Sequence, residues 1–406
     1  MIFKGNNGKL LHESFSLLFP NANVVFANDL KQDKLIDNDN FHMVWKPTVE
    51  YSGGSHSRTV FGLKLKHSSI PRIVNHFPQN ESLCTKTGMF ESISKYYRKL
   101  YVEPDEVVPY TFIITSFSCP QWLELQIAFK SHQHWICKPN GLNCSRGIQV
   151  LSDLSGIKSY VLSDSNPVVV QKYIDNPMLW PNGERKFDIR MWVLVLQDCK
   201  VFMCREGYLR TCSEPYSMES LRDPTAHLTN YCLQRNSTNL GKYEQGSTLS
   251  FEQLQEYIDS TSRLKTLNLT RDLFPRFRSI IMDTLRASWD IISNKASCNG
   301  FLPYELFGYD FMLDSDANPW LIEVNTNPFV GVQNVWHGEL LKRMTQEVAN
   351  IVKIEYVDGN NAAIGDLELF ERIDKSQQKE PKGRGQYEKW LQILSWNEKK
   401  NSKEVL

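Results

Sequence analysis

Two apolar segments separated by a polar turn, the stretch FGYDFMLDSDANPWLIEVNTNP at residues 307–328, predict a β-hairpin. If Leu313 pairs with Trp320 across the turn, Asp310 lies opposite Glu323, and Asn325 lies on the same strand face as Glu323. Carboxylates within apolar strands are costly unless they are paired. Two carboxylates and an amide oxygen are a hard-oxygen set that suits Mg²⁺. A hairpin with solvated acidic residues is the alternative, but the apolar neighbours favour a metal site.

A second hairpin is predicted upstream. In KFDIRMWVLVL at residues 186–196, the charged Lys186, Asp188 and Arg190 alternate with apolar residues before the run becomes entirely apolar. A polar turn at 197–200 and an apolar stretch at 201–208 complete an antiparallel pair. A solvated edge strand would show the same alternation, but it would not continue into a run typical of a buried strand. We therefore favour a charged strand face that lines a cleft.

Three shorter motifs have two interpretations each. The segment PNGLNCSRG at 139–147, preceded by Lys138, is either a phosphate-binding loop, whose glycines let backbone N–H groups approach the anion, or a plain hairpin loop. The strand VVVQKYI at 168–174 either binds an adenine edge at its polar end or is only a buried strand. Arg205 and Arg210 in CREGYLRT are either surface arginines or residues that bind a carboxylate in a cleft.

The rest of the chain predicts an α/β protein of two or three domains, because 406 residues exceed the size of one compact core. Apolar residues at helical spacing predict helices at 87–100, 121–131, 248–259, 272–294 and 339–352. Residues 67–78 are predicted to be a turn-rich connector. The polar stretch after residue 356 is predicted to be a tail that is peripheral or partly ordered, with one short helix at 387–396.

Composition excludes several classes of function. The 46 basic and 46 acidic residues give a formal net charge of +0, so no global charge attracts nucleic acid or a membrane surface. Nine cysteines without a CxxC pair indicate reduced thiols in an intracellular protein. No apolar run approaches the roughly 20 residues needed to span a bilayer, and no secretory signal is recognisable. We therefore predict a cytoplasmic protein that binds neither nucleic acid nor a membrane.

Seven motifs in sequence order resemble those of the tubulin–tyrosine ligase family, whose catalytic fold is ATP-grasp. They cover residues 135–330, with a weaker likeness at LCTKTGMF from residue 83, and they are WICKPNGLNCSRGIQV, VVVQKYI, KFDIRMWVLV, REGYLRTCSEPY, HLTNYCLQ, FGYDFMLD and WLIEVNTNP. The resemblance implies an α/β (α+β) ATP-grasp fold with the nucleotide in the cleft between its last two domains. The implied divisions are a small N-terminal α/β domain at 1–82, a central domain at 83–176, a C-terminal domain with the metal hairpin at 177–356, and a Lys-rich tail at 357–406.

The resemblance also implies roles for individual residues. Contacts with the phosphates or the base of ATP are expected from Lys86, Lys138, Arg146, Gly147, Ile148, Gln171, Lys172, Tyr173, Ile174, Lys186, Asp188, Thr229 and Asn230. Residues expected to act in catalysis are Lys138, Arg190 and Arg210. Residues expected to contact the substrate are Arg205, Arg210 and Tyr231. The expected Mg²⁺ ligands are Asp310, Glu323 and Asn325.

By the same resemblance, the chain is expected to be a ligase that uses ATP and Mg²⁺ to activate a carboxylate as an acyl phosphate, which the amine of a free amino acid then attacks. The expected acceptor is a tubulin tail on microtubules, and the amino acid is glutamate, tyrosine or glycine, with glutamate slightly favoured. The expected location is therefore the cytoplasm and cytoskeleton, including a cilium or basal body. A ligase for a small metabolite and a catalytically inactive tubulin-binding relative remain as alternatives.

Tubulin tails are acidic, so an enzyme without net charge needs a local basic surface to hold one. A groove near the active site is predicted to supply it, lined by Arg185, Lys186, Arg190, Arg205 and Arg210.

Overall fold

The computed structural model of the chain describes residues 1–4, 8–21, 25–27, 43–45, 50–52, 57–59, 72–140, 145–164, 167–293, 298, 300–358 and 367–374. Its strands are β1 (Ile2–Lys4), β2 (Val25–Ala27), β3 (Met43–Trp45), β4 (Glu50–Ser52), β5 (Ser57–Thr59), β6 (Arg72–Val74), β7 (Thr111–Ile114), β8 (Trp135–Pro139), β9 (Gln149–Leu151), β10 (Val168–Lys172), β11 (Leu179–Trp180), β12 (Arg185–Leu196), β13 (Val201–Thr211), β14 (Thr248–Ser250), β15 (Phe301–Leu313), β16 (Pro319–Asn325) and β17 (Phe370–Arg372).

The α-helices within the same ranges are α1 (Gly8–Leu18), α2 (Glu81–Cys84), α3 (Lys86–Lys99), α4 (Pro120–Ala128), α5 (Leu154–Ser163), α6 (Pro224–His227), α7 (Tyr231–Gln234), α8 (Phe251–Ser260), α9 (Phe274–Ile292) and α10 (Val335–Lys353). Short 3₁₀ turns occupy Pro104–Glu106 and Gln245–Ser247, and π-helical turns occupy Leu269–Leu273 and Ile354–Asp358. Among the described helices, none combines the length and apolar character that a membrane crossing requires.

A large sheet of eleven strands organises the described part of the chain. Its path is β14-β13-β12-β15-β6-β3-β1-β2, with β11 on β12, β16 on β15 and β17 on β13. Its central strand β12 is buried along its whole length. Val193 belongs to a core that includes Phe277 of α9, whereas Trp192 belongs to a second core that includes Leu341 of α10. Because both faces are covered, this part of the chain reads as a continuous apolar run.

The two halves of β12 differ on one face. Lys186, Asp188 and Arg190 share this face with Trp192 and Leu194, because side chains alternate along a strand. The Trp192 half packs in the α10 core, so the charged half of the same face is the part that is left to line a cleft.

A smaller antiparallel sheet, in the order β7-β10-β8-β9, forms the opposite wall of that cleft. One face carries Trp135 and Val170, which pack in a core with Trp122 of α4. Alternation along β8 turns Ile136 and Lys138 to the other face, towards the charged half of β12.

The predicted α/β class is confirmed. Capping side chains account for where two of the predicted helices begin. The helix predicted at 87–100 is α3, and the Thr85 side chain caps it by accepting a hydrogen bond from the Gly88 backbone N–H. The helix predicted to begin at residue 248 begins at Phe251, because Ser250 and Gln253 form a capping box. The residues before it, Thr248–Ser250, form β14 instead.

The prediction of a connector at residues 67–78 is wrong in part, and the predicted tail is ordered in part. Residues 72–74 of the predicted connector form β6, which pairs in parallel with β15 and β3 and is buried. Residues 367–374 of the predicted peripheral tail contain β17, which pairs with β13, and Leu369 and Phe370 are buried in the α10 core. Both strands are three residues long, too short to show a period-two pattern. The short helix predicted at 387–396 lies outside the described residues.

The four divisions of the chain stay a prediction, and the contacts across them are extensive. Strands β1, β2, β3 and β6 of the 1–82 segment continue the sheet that contains β15. Met89 and Ile93 of α3, in the predicted central domain, share a core with Phe277 of α9.

Candidate active site

The hairpin of β15 and β16 brings Asp310 opposite Glu323, as the sequence predicts, but by a different register. Leu313 pairs with Pro319 and not with Trp320. Between the Asp310 pair and the next pair along, β16 contains one additional residue, Ile322, which forms a β-bulge. The bulge offsets the one-residue difference at the turn, so both carboxylates reach the same place.

The predicted metal ligands are in contact with one another. The Asn325 Nδ2 atom lies 3.0 Å from Asp310 Oδ2 and 3.1 Å from Glu323 Oε1. Burial, and then the charge of Asp310, raises the pKa of Glu323. A bound cation would remove the repulsion between these carboxylates, so the donor set fits Mg²⁺.

The protein ligands for an ion are nevertheless few. Among the described residues, no group of three or more His, Cys, Asp or Glu side chains could hold a metal. An ion here would therefore need the amide oxygen of Asn325, which requires its amide to turn, together with oxygens from phosphate or water. That composition is the usual one for Mg²⁺ bound with a substrate phosphate.

Asp310 also belongs to a buried arginine network that consists of Asp188, Arg190, Arg210 and Asp310. The Arg190 Nε atom lies 2.5 Å from Asp310 Oδ1, and Arg210 Nη2 lies 2.8 Å from Asp310 Oδ2. Arg210 also donates to both oxygens of Asp188, at 2.7 and 2.5 Å, and Thr229 Oγ1 donates to Asp188 Oδ2 at 2.6 Å. Burial alone would raise the pKa of Asp310, but the charges of Arg190 and Arg210 outweigh it and lower that pKa.

Two buried lysines, Lys138 and Lys186, form a lysine pair with different surroundings. Lys138 Nζ donates to Gln171 Oε1 at 2.7 Å, and Lys186 Nζ donates to the Tyr173 hydroxyl at 2.8 Å. Neither has a carboxylate within salt-bridge distance in the described part of the chain. Burial lowers the pKa of Lys138 to about 8 and that of Lys186 to about 7. The charge of Lys86 acts on both Lys138 and Glu323, so α3 brings a third lysine to the site.

Most residues expected at the nucleotide do line one cleft. These residues are Lys138, Ile148, Gln171, Lys172, Tyr173, Ile174, Lys186, Asp188, Thr229 and Asn230. Arg210, expected in catalysis, and the expected metal ligands Asp310 and Glu323 line the same cleft. Further apolar lining comes from Ile136, Leu228, Met312 and Ile322. The cleft therefore has apolar surfaces beside buried cations, which is the combination that a planar base carrying phosphates requires.

The segment 145–148 reaches the cleft through Ile148. Ser145 Oγ donates to Asn230 Oδ1 at 2.5 Å, and the Gly147 carbonyl accepts from the Tyr160 hydroxyl at 2.6 Å. Gly147 has a φ of 75°, a conformation that favours glycine. Arg146 is exposed beside it. Residues 141–144 of the predicted phosphate loop lie outside the described residues.

The structure brings together only part of the predicted basic groove. Arg205 is turned towards the β17 segment, where its guanidinium donates to the carbonyls of Leu367 and Phe370. Arg185 is buried, pairs with Glu244 at 2.6 Å and stacks on the Tyr243 ring at 4.1 Å. Neither of these two arginines lines the cleft that contains Lys186 and Arg210, so they lie apart from the rest of the predicted groove.

Tyr231, which was expected to contact the substrate, begins α7 directly after Asn230 of the cleft lining. Sequence analysis did not single out His227, whose Nδ1 lies 2.8 Å from the Tyr173 hydroxyl. His227 begins the HLTN motif, so its position two residues before Thr229 was the available signal.

Comparison with known proteins decides the family. The model of the tubulin–tyrosine ligase family matches residues 64–360. The chain belongs to this family. Members of the family are ligases, and the mixed α/β architecture of two sheets and helices agrees with its ATP-grasp type of fold.

Individual relatives differ in how much of each chain is matched. The chain is 32% identical to tubulin glycylase 3B of Tetrahymena thermophila over 54% of its own length and 18% of the glycylase. It is 32% identical to tubulin glycylase 3D of the same organism over 58% of its length and 22% of that protein. It is 28% identical to probable alpha-tubulin polyglutamylase Ttll1 of Tetrahymena thermophila over 78% of its length and 79% of that protein. The chain thus spans about a fifth of these glycylases and most of the polyglutamylase.

Proposed function

We propose that this chain is an ATP- and Mg²⁺-dependent ligase that joins a free amino acid to a carboxylate of a tubulin tail. The observation that carries the proposal is the lysine pair, which is buried without a carboxylate partner among the described residues and faces the carboxylates Asp310 and Glu323 across one cleft. Buried charges are costly unless they are paired. A phosphate group is the anion that would pair both lysines, and Mg²⁺ is the cation that suits the facing carboxylates.

The charges of the cleft support a nucleotide with its metal. Lys138, Lys172, Lys186 and Arg210 line the cleft and Lys86 and Arg190 lie beside it, so six positive charges face the three negative ones of Asp188, Asp310 and Glu323. The site therefore carries an excess of cations, and ATP with one bound Mg²⁺ retains negative charge. The apolar residues Ile136, Ile148 and Leu228 would cover the base, and Thr229 would hold Asp188 in place by its hydrogen bond.

The proposed chemistry needs positioning and charge rather than a nucleophilic side chain. A carboxylate oxygen of the acceptor attacks the terminal phosphorus of ATP, and ADP leaves. The amine of the free amino acid then attacks the carbonyl carbon of the acyl phosphate, inorganic phosphate leaves, and the amine loses its proton. Lys138 and Lys186 would hold the phosphates, and Mg²⁺, held by Asp310, Glu323 and Asn325, would reduce the charge on the transferred group.

Arg210 is suited to hold the acceptor carboxylate. Its hydrogen bonds within the described residues run through Nε and Nη2, to Asp188 and Asp310. We propose that its Nη1 atom, which these bonds do not use, meets the substrate carboxylate. Arg190 would act through Asp310, which it holds from one side.

Tubulin as acceptor is inferred from the names of the relatives, which are two glycylases and a polyglutamylase. We propose glutamate as the amino acid, because the match with the polyglutamylase extends over most of both chains. Glycine is the second candidate, because identity to the glycylases is 32% within the shorter matched segment. An acceptor on microtubules would place the protein at the cytoskeleton.

The test is incorporation of label into microtubules. Purified protein is incubated with microtubules, Mg-ATP and radiolabelled glutamate, glycine or tyrosine in separate reactions. We expect incorporation of glutamate, and its loss in Glu323→Gln, which keeps the size of the side chain and removes its charge. Incorporation of another amino acid alone would correct the donor. ATP binding without incorporation of any of the three would favour an inactive relative, and full activity of Glu323→Gln would contradict the metal assignment.

A further inference from the structure

We infer that His227 is a positioning residue that holds Lys186 in the nucleotide cleft through the Tyr173 hydroxyl. The inference rests on the proposed function, because it concerns the site where ATP would bind. Three buried side chains carry it. Lys186 Nζ lies 2.8 Å from the Tyr173 hydroxyl, and that hydroxyl lies 2.8 Å from His227 Nδ1.

The direction of these hydrogen bonds follows from their last acceptor. His227 Nε2 lies 3.1 Å from the Ser220 carbonyl, which can only accept, so Nε2 carries the proton. In neutral His227, Nδ1 is then an acceptor, and the Tyr173 hydroxyl must donate to it. The oxygen of that hydroxyl is thereby left to accept from Lys186. The resulting chain runs in one direction, from Lys186 through Tyr173 and His227 to Ser220.

This chain fixes an otherwise adaptable side chain. A lysine has a flexible four-carbon stem, and ordering it costs conformational entropy. The Lys186 ammonium lies 4.1 Å from the centroid of the Tyr173 ring and 5.8 Å from that of Tyr216. These ring contacts hold it loosely, because cation–π attraction is broad in direction. The hydrogen bond to an oriented Tyr173 hydroxyl selects one position, in the same cleft as Lys138.

The surroundings of His227 favour its neutral form. Its ring packs edge-on against the rings of Tyr173 and Tyr216, at centroid distances of 5.7 and 5.4 Å. The charged groups that act on it are Lys186 and Asp223. Burial, and then the charge of Lys186, lowers the pKa of His227. Protonation of Nδ1 would turn it into a donor, and the Tyr173 hydroxyl would lose its acceptor.

A double-mutant cycle distinguishes positioning from a structural role. The affinity of a fluorescent ATP analogue with Mg²⁺ is measured for wild type, Tyr173→Phe, His227→Leu and the double variant. We expect each single variant to weaken binding roughly tenfold, because Tyr173→Phe removes the oxygen that accepts from Lys186 and His227→Leu removes the acceptor that orients it. The double variant is expected to be no weaker than Tyr173→Phe, since His227 acts only through that hydroxyl. His227→Asn, whose Oδ1 can replace Nδ1 as acceptor, is expected to stay within about threefold of wild type.

The pH dependence gives a second readout. Once pH falls below the lowered pKa of His227, Nδ1 becomes a donor, so the ratio of wild-type to Tyr173→Phe affinity is expected to approach one. Protonation of the nucleotide itself affects both proteins equally and cancels in this ratio. Additive losses in the cycle, with thermal unfolding temperatures close to wild type, would overturn the role of His227 while leaving ATP binding in place. Absence of binding to wild type would overturn both this inference and the proposed function.

Discussion

The lysine pair and the arginine network are both sets of buried cations in one cleft, yet they are paired in opposite ways. Arg190 and Arg210 each contact a carboxylate within the chain, at distances between 2.5 and 3.1 Å. Lys138 and Lys186 donate only to an amide oxygen and a phenol oxygen in the hydrogen bonds that the described residues make. The arginine network is therefore balanced internally, whereas the lysine pair lacks a counter-charge.

This difference separates charges that are balanced within the chain from charges that need an external anion. An internally balanced network contributes to the folded state whether or not a ligand is present, and breaking it leaves an uncompensated charge. Buried lysines without a partner oppose folding, which is why their pKa values are lowered. Such a cost is explained if an anion from outside completes the site. Substitution in the arginine network is therefore expected to lower stability. Substitution in the lysine pair is expected to weaken nucleotide binding without lowering stability.

The largest effect is expected from breaking the arginine network. Asp310→Asn leaves Arg190 and Arg210 buried with one fewer negative charge, so the free energy of unfolding is expected to fall by about 3–5 kcal/mol. Urea denaturation measures this directly. Asp316→Asn in the turn of the same hairpin is the matched control, because Asp316 is 75% exposed and its ion pair with Arg263 spans 3.6 Å. If Asp310→Asn changed the free energy of unfolding by less than about 1 kcal/mol, the charges of the arginine network would not be balanced within the chain.

The opposite response is expected from the lysine pair. Lys138→Met preserves most of the side-chain volume and removes a charge that is costly to bury, so the free energy of unfolding is expected to stay the same or to rise. Affinity for Mg-ATP is expected to fall roughly 10- to 100-fold, since a charged hydrogen bond to phosphate is lost. Calorimetric titration and urea denaturation of one preparation measure both quantities. Lys130→Met, at an exposed lysine, should change neither. Loss of stability in Lys138→Met would show that the lysine pair also stabilises the folded state.

A smaller effect is expected from pH. The pKa values of Lys138 and Lys186 are lowered to about 8 and about 7, and a bound phosphate would raise both by pairing with the charged form. Binding therefore takes up protons near pH 8, and affinity for Mg-ATP is highest below the free-protein pKa values and declines severalfold as pH rises through them. Calorimetry in two buffers with different ionisation enthalpies gives the number of protons, expected to be about one. Proton release on binding would contradict the assignment of the lysine pair to phosphate.

Sequence pattern was sufficient where the signal lies within one segment. The alternation of Lys186, Asp188 and Arg190 predicts a charged strand face, and the apolar runs around Asp310 and Glu323 predict the hairpin, because period-two patterns are local. The motif order then identified the family. The β-bulge at Ile322 was not predictable in this way, since it depends on how the turn and the opposite strand fit together.

Ion pairs between residues that are far apart in the sequence could not be predicted from it. Arg190 pairs with Asp310, 120 residues away, and Arg185 pairs with Glu244, 59 residues away. The position of an arginine side chain depends on these pairings. The groove predicted from the sequence therefore included arginines that do not line the cleft. The short strands β6 and β17 were missed because three residues have no periodicity, and their place is set by the edges of β15 and β13.

The smallest effect is expected at Arg205, because this arginine lies outside the cleft. Its guanidinium donates to the Leu367 and Phe370 carbonyls beside β17, and it does not line the cleft. Arg205→Ala is therefore expected to change the KM for microtubules less than twofold and to lower the free energy of unfolding by about 0.5–1.5 kcal/mol, the net value of a hydrogen bond. Arg210→Ala, at the residue proposed to bind the substrate carboxylate, is the contrasting variant and should lose activity. A large rise in KM for Arg205→Ala with unchanged stability would contradict this expectation. It would mean that the proposed acceptor, an acidic tubulin tail, reaches β17 and that the substrate-binding surface extends beyond the arginine network.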